Sequence, residues 1–212
     1  MSNQQLAAPE LAAVEIRGMT RQSFIMKGAL AAGTVYGLGA VQPFVQEALA
    51  QGGGGDVGIL NFALTLEYLE AAFYDSAIKQ VSGLSGEAKV LTSTLRDNEN
   101  AHVDALTTAI KGLGGKPVKA PGVSFGGAFA SQKSFLKLAQ TFEDTGVSAY
   151  NGAGPNLKSK KLLAAAGSIV QVEARHAAAI RALNGKPVTD GGFDKSLSQQ
   201  QVLTAVKPFV KG

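Results

Sequence analysis

The chain has 212 residues, of which 45% are hydrophobic and 17% are charged, and its formal net charge is +4. This length fits one domain, or one domain plus a processed segment, and the apolar fraction excludes a disordered chain. Cysteine is absent, which excludes disulfides, iron–sulfur clusters and Cys-ligated zinc. The basic residues are scattered over the chain, so no nucleic-acid partner is expected.

Residues 1–50 have the pattern of an export signal. Arg17 and Arg21 precede an uncharged run, residues 28–45, which is followed by the small-x-small sequence Ala48-Leu49-Ala50. A basic region, an apolar region and such an ending are typical of a secretory signal. We therefore expect cleavage after Ala50 and export of the remaining chain to the periplasm, the cell envelope or the medium.

Two alternatives concern this export segment. Residues 20–25 resemble a twin-arginine signal, but Gln22 stands where the second arginine belongs, so general secretion and a tolerated variant both remain open. Without cleavage, the apolar run of about 18 residues could anchor the protein in a membrane. The glycines and the Ala-x-Ala ending favour cleavage, and membrane contact is expected only through this segment.

The first two predicted helices cover residues 56–80 and 87–111. In the first, apolar side chains recur at steps of three and four residues, and Asp56 is a candidate N-cap. Gly112, Gly114, Gly115 and Pro117 end the second helix. The apolar residues that define the first helix are Ile59, Phe62, Leu66, Leu69 and Phe73.

A Gly- and Pro-rich linker, residues 112–130, separates these helices from two more, predicted at residues 132–150 and 158–183. One class of four-helix bundle has a single long crossover between its second and third helices, and this linker is long enough for that role. A short helix at residues 198–206 is predicted to cap the bundle. No segment alternates as a strand would, so we predict an all-α bundle over residues 51–184 and a tail over 185–212.

Both histidines of the chain end a Glu-x-x-His sequence: Glu99 precedes His102, and Glu173 precedes His176. On a helix, residues i and i+3 share a face, so each pair can direct a carboxylate and an imidazole to one point. A single copy is more often a solvated helix face than a metal site. Two copies that use every histidine favour metal binding.

The Glu-x-x-His sequences belong to an internal repeat. Glu67 is followed seven residues later by Tyr74, and Glu143 seven residues later by Tyr150. Two Glu-x-x-His pairs and one glutamate from each of two further helices form the ligand set of a carboxylate-bridged dinuclear metal site. The six candidate ligands are Glu67, Glu99, His102, Glu143, Glu173 and His176.

The stretches at residues 66–74, 99–102 and 172–176 resemble the ferritin-like superfamily, which includes rubrerythrins and bacterioferritins. The chain is most similar to its exported ferritin-like domain proteins, to which plant desiccation-related proteins are related. The resemblance implies a ferritin-like four-helix bundle in which Glu99 and Glu173 bridge two metals. It implies that His102, His176, Glu67 and Glu143 are terminal ligands, and that Tyr74 and Tyr150 lie near the metals without binding them.

Glu70 is a further candidate, because some superfamily members use an extra glutamate one turn after the first. The repeat has Gly146 at the corresponding position, so we expect Glu70 beside the ligands and not among them. Other residues predicted to order the ligands are Asp97, Asn98, Asp104 and Arg175.

Oxygen and imidazole ligands suit two iron ions first, manganese next, and zinc as a competitor. The resemblance implies redox chemistry on O2 or H2O2, as a ferroxidase, peroxidase or catalase-like protein. A rubredoxin-type centre is excluded without cysteine, and methionine-bound haem is not expected because all three methionines precede residue 50. The alternative is a stress-related structural protein that the metal only stabilises. A dimer is compatible with the sequence.

Overall fold

A computed structural model describes residues 55–211, and the predicted export segment lies outside them. Four long helices are α1 (Asp56–Gln80), α2 (Gly86–Gly112), α3 (Gln132–Ala153) and α4 (Lys160–Leu183), and α5 (Gln199–Val206) is short. Helix α1 packs mainly against α2, and α3 mainly against α4, so the bundle consists of two helical hairpins. The predicted all-α fold is confirmed. Within residues 55–211, no helix has the length and apolar run needed to cross a bilayer.

The start of α1 differs from its prediction. Gly55, with φ of 85°, precedes the helix, so Asp56 is its first residue and does not cap it. The Asp56 carboxylate instead accepts the backbone N–H groups of Lys158 (2.7 Å) and Ser159 (2.9 Å). Asp56 therefore joins the start of the first hairpin to the start of α4, while Ser159 itself caps α4.

Helix α3 continues three residues beyond its predicted end at Tyr150. The Asn151-Gly152 pair, which usually signals a turn, is helical here, and the C-terminal tail crosses α3 at this point. A Cβ atom on Gly152 would lie 1.9 Å from the carbonyl oxygen of Leu197, so only glycine allows this approach. The backbone N–H of Leu197 donates to the carbonyl of Ser148 at 2.9 Å.

The crossover between α2 and α3 is fixed to the bundle by a buried amide. Asn61 of α1 is completely buried; its Oδ1 accepts the N–H of Val118 (2.8 Å) and its Nδ2 donates to the carbonyl of Lys116 (3.1 Å). Buried polar groups need such partners, since an unpaired one is costly. The crossover thus traverses the bundle along a defined path.

The tail adds two elements to this crossover. Helix α5 begins with a capping box at Ser198 and buries Val202, Leu203 and Val206 against the bundle, as its prediction required. A pair of two-residue strands, β1 (Gly122–Val123) and β2 (Val210–Lys211), then joins the crossover to the end of the chain in antiparallel register. This pairing is absent from the prediction, because two residues are too few for an alternating pattern.

Phe73 of α1 lies at the centre of the main core. Its ring contacts four other phenylalanine rings, from the crossover and α3, at centroid distances of 4.9–5.4 Å. Aromatic pairs in such arrangements stabilise a core beyond the area that they bury. The rings belong to Phe125, Phe129, Phe135 and Phe142. This core holds α1 against α3, one turn from the candidate ligands.

Candidate metal centre

The six predicted ligands lie together in the interior of the bundle. They come from all four long helices, one glutamate each from α1 and α3 and one Glu-x-x-His pair each from α2 and α4. The four glutamates have no exposed surface, and His102 and His176 are 8% and 4% exposed. Two overlapping groups of four residues can each surround one ion, with candidate ligand atoms within 4.8 Å of one another.

The first group is built around His102. Its Nδ1 lies 3.2 Å from Glu67 Oε2, 3.2 Å from Glu99 Oε2 and 2.9 Å from Glu173 Oε1. One imidazole nitrogen therefore faces one oxygen from each of three helices.

The second group repeats this arrangement around His176. Its Nδ1 lies 3.0 Å from Glu99 Oε1, 3.5 Å from Glu143 Oε2 and 3.7 Å from Glu173 Oε2. Glu99 and Glu173 thus direct one carboxylate oxygen to each histidine, whereas Glu67 serves only the first group and Glu143 only the second. This is the geometry that two bridging and two terminal carboxylates require.

Two tyrosines hold the carboxylates of Glu67 and Glu143, and each hydrogen bond joins one hairpin to the other. Tyr74 OH donates to Glu143 Oε1, and Tyr150 OH donates to Glu67 Oε1. Each tyrosine comes from the hairpin opposite to the carboxylate that it supports. The sequence placed both tyrosines near the site but contained no signal for this pairing, since each lies seven residues from the glutamate of its own hairpin.

Five buried atoms of the cluster have no hydrogen-bond partner among residues 55–211. Buried polar atoms without partners are rare and costly, so a group of five needs an explanation. All five belong to candidate ligands whose atoms converge, and a cation between them would satisfy them. They are Glu99 Oε1, Glu143 Oε2, Glu173 Oε1 and Oε2, and His176 Nδ1. The donor set therefore fits metal ions.

The electrostatics of the cluster also favour added positive charge. Burial, together with the charges of Glu173 and Glu99, raises the pKa of Glu143 to about 8 although the contact with His176 lowers it. Burial, followed by the charge of Glu173, raises the pKa of Glu67 well above its ordinary value. These carboxylates repel one another in a medium that cannot screen them. Four ionised carboxylates would balance two divalent cations.

Without a cation, the histidines carry the compensating charge. Burial lowers the pKa of His102, but its contacts with Glu173, Glu67 and Glu99 raise it to about 12. His176 behaves likewise, with a pKa of about 12. Burial raises the pKa of Glu99, yet its contacts with both histidines lower it to about 2. Protons and cations therefore compete for the same imidazole nitrogens.

Glu70 lies beside this cluster, in space that Gly146 leaves open. It is only 4% exposed, and a Cβ atom on Gly146 would lie 3.1 Å from Glu70 Oε1 and 3.7 Å from Glu173 Oε2. Burial, followed by the charge of Glu173, raises the pKa of Glu70 well above its ordinary value. Glu70 is outside both four-residue groups, in agreement with its predicted position beside the ligands.

Of the other residues predicted to order the ligands, only Asn98 reaches the cluster. Its Nδ2 lies 2.9 Å from Nε2 of His176. Asp97 pairs with Arg96 at the surface, and Asp104 and Arg175 are exposed.

A small apolar cavity lies on the Tyr150 side of the cluster. It has a volume of about 20 Å³ and is lined by side chains of α1, α3 and α4, among them Leu66, Ala149, Tyr150 and Ala166. Space of this size accommodates a water-sized or diatomic molecule.

Comparison with known families agrees with the fold and with the buried cluster. The sequence profile of the family described as ferritin-like domain matches residues 55–186, which include all four long helices and all six candidate ligands. No curated protein matches the chain. The match covers more than half of the sequence, and the chain belongs to the ferritin-like domain family.

Proposed function

We propose that the buried cluster binds two metal ions, iron first and manganese as the alternative, and that the protein is a dinuclear redox protein. A reduced pair of such ions supplies two electrons to O2 or H2O2. The observation that carries this proposal is the position of the Glu99 and Glu173 carboxylates. In each of them, one oxygen lies beside His102 and the other lies beside His176.

The chain has specific roles in this proposal. Glu99 and Glu173 hold the two ions together, and Glu67 and Glu143 complete the coordination of one ion each. Tyr74 and Tyr150 fix the terminal carboxylates through hydrogen bonds, so that one oxygen of each remains directed to the cluster. The apolar core excludes bulk water, which strengthens every charge interaction in the site.

Ligand chemistry supports iron or manganese over other metals. Carboxylate oxygen and imidazole nitrogen suit both, while zinc binds such sites well and competes by availability. The small apolar cavity beside Tyr150 suits O2 better than an organic substrate. H2O2 is the alternative oxidant in this proposal.

The experiment is metal analysis followed by turnover. We expect the full-length protein, produced with iron and manganese both available, to contain two ions per chain. After anaerobic Fe(II) loading, it should consume O2 or H2O2 with oxidation of the iron. Glu99→Ala should lose metal and turnover, whereas Glu87→Ala, at an exposed position of the same helix, should keep both. A protein that retains no metal after anaerobic loading would contradict the proposal.

The complete burial of the glutamates also supports a second candidate, a structural protein that the metal only stabilises. Structural metal sites are closed, whereas catalytic sites keep an open position. Thermal stabilisation by metal would occur in either case, because any ligand of the folded state stabilises it. Tightly bound metal that reacts with neither O2 nor H2O2 would favour the structural candidate.

Export is a separate proposal, supported by the pattern of residues 1–50. We expect the mature protein to begin at Gln51 and to be found outside the cytoplasm. The intact mass of the protein recovered from the producing cells tests this directly, because an uncleaved anchor would retain the mass of the whole segment.

A further inference from the structure

The two halves of the cluster differ in how their histidines are held. Nε2 of His176 faces the amide of Asn98, which immediately precedes Glu99 on the opposite hairpin. The residue at the corresponding position of the second hairpin, immediately before Glu173, is Val172. A valine cannot form a hydrogen bond, and none of residues 55–211 forms one with Nε2 of His102.

We propose that Asn98 is a positioning residue that fixes the ring of His176, and that it makes the two metal positions unequal. The inference rests on the proposed dinuclear site. The position formed by His176 and Glu143 then holds its ion more tightly than the position formed by His102 and Glu67.

The chemistry of imidazole gives the reason. A histidine that binds metal through Nδ1 carries its proton on Nε2, and an acceptor for that proton fixes both the tautomer and the ring orientation. The side-chain amide of Asn98 presents Nδ2 to Nε2 at 2.9 Å. A half-turn of the amide presents Oδ1 at the same place, where it accepts the Nε2 proton. Asn98 can therefore serve the ring with and without metal.

The geometry gives Asn98 more effect than a surface contact would have. Nδ1 of His176 lies 3.0 Å from Glu99 but 3.5 Å and 3.7 Å from Glu143 and Glu173, whereas Nδ1 of His102 lies within 3.2 Å of all three of its carboxylates. The ring of His176 is thus held less closely by the cluster itself. Its orientation depends more on the contact at its other nitrogen.

The experiment is a stepwise titration of the metal-free, full-length protein with Co²⁺ in the absence of O2, followed by the visible absorption of the bound ion. The wild type should bind two ions in distinguishable steps. Asn98→Leu should weaken the tighter step by about 10- to 100-fold and leave the other unchanged, which is the usual effect of removing a partner of a metal-bound histidine. Asn98→Asp, which keeps an acceptor, should restore tight binding.

Two further variants separate positioning from stability. Asn100→Ala, on the same helix, removes a bond from its Nδ2 to the Arg96 carbonyl at the surface and should bind both ions as the wild type does. Val172→Asn supplies an amide to the other half and should strengthen the weaker step. Thermal unfolding of the metal-free proteins shows whether a substitution destabilises the fold itself. If Asn98→Leu does not fold, the Co²⁺ titrations of Val172→Asn and the wild type test the inference, because only a strengthened weaker step in Val172→Asn supports it.

Two equal binding steps in the wild type, or an Asn98→Leu titration that matches that of Asn100→Ala, would overturn the inference while leaving the dinuclear site intact. A loss of both steps together in a folded Asn98→Leu protein would also overturn it. A wild type that binds no Co²⁺ would contradict the proposed function itself.

Discussion

The hairpins α1–α2 and α3–α4 share a glutamate, a tyrosine seven residues later and a Glu-x-x-His pair, and two of the positions at which they differ lie beside the buried cluster. Asn98 corresponds to Val172, and Glu70 corresponds to Gly146. The shared residues form the buried cluster. Of the two histidines, Asn98 contacts only His176, and Glu70 lies beside Glu173 in the space that Gly146 leaves open. The repeat therefore supplies the candidate ligands, and residues that depart from the repeat, such as Asn98 and Glu70, can make the two sides of the cluster different.

Substitution of the two glutamates that reach both histidines should reduce metal binding most. Glu99→Ala or Glu173→Ala should abolish binding of both ions, because each carboxylate reaches both histidines. Glu67→Ala and Glu143→Ala should each leave one ion bound. Equilibrium dialysis with Zn²⁺ measures the stoichiometry. The same loss in all four variants would show that the cluster does not divide into two sides.

The next effect is a strong dependence of metal affinity on pH. Both histidines have a pKa raised to about 12 in the metal-free protein, so near neutral pH a bound ion must displace a proton from each. Zn²⁺ affinity should therefore rise with pH, by about tenfold per pH unit for each proton released.

Calorimetry in buffers of different ionisation enthalpy counts these protons. His102→Gln should release one proton fewer than the wild type, and so should His176→Gln. Zn²⁺ binding without any proton release would contradict the protonated state of the metal-free cluster.

Removal of the tyrosine hydroxyls should weaken metal binding less. Each substitution should weaken the ion whose carboxylate comes from the opposite hairpin. Tyr74→Phe removes the hydrogen bond to Glu143 and should weaken the ion beside His176 by about tenfold, as expected for a bond to a charged group. Tyr150→Phe should weaken the ion beside His102. Tyr68→Phe, on α1 but without a hydrogen bond to the cluster, is the matched control. Co²⁺ titrations would reject the crossed pairing if each change weakened the ion of its own hairpin.

The smallest effect on metal binding is expected at Glu70. Glu70→Gln should keep both ions, and in the metal-free protein it should increase the free energy of unfolding. Because the folded-state pKa of Glu70 is raised above its ordinary value, the wild-type protein loses stability as pH rises through that pKa, and the glutamine variant does not.

Urea denaturation of metal-free protein at about pH 5 and about pH 8 measures this difference. The advantage of Glu70→Gln over the wild type should widen at the higher pH. Glu87→Gln, at an exposed position, should show no such widening. Loss of an ion from Glu70→Gln would instead make Glu70 a ligand.

Much of the fold could be predicted because its signals are local. Apolar periodicity and Gly or Pro punctuation located α1, α2 and α4 to within two residues at each end. The convergence of the six candidate ligands could be predicted because i and i+3 spacing fixes a helix face. That these residues bind metal stays a prediction.

Contacts between distant segments could not be predicted. Asp56 resembles a helix cap, but its partners are Lys158 and Ser159, which the chain brings near only on folding. Asn151-Gly152 has the sequence of a turn but is helical, and the close passage of Leu197 over Gly152 has no local signal in the sequence. The crossed tyrosine bonds depend likewise on the packing of α1 against α3, to which no local pattern refers.

The crossed tyrosine bonds also bear on the history of the chain. A homodimer of one such hairpin, with each tyrosine donating to the glutamate of its twin, would contain every contact that the repeat supplies. When the two hairpins are joined in a single polypeptide, their sequences need not be identical, so one copy can change while the other does not. Asn98 and Glu70 are differences of the kind that a symmetric dimer cannot have. Within a single polypeptide, the two sides of the buried cluster can therefore become chemically different although they share one repeated pattern.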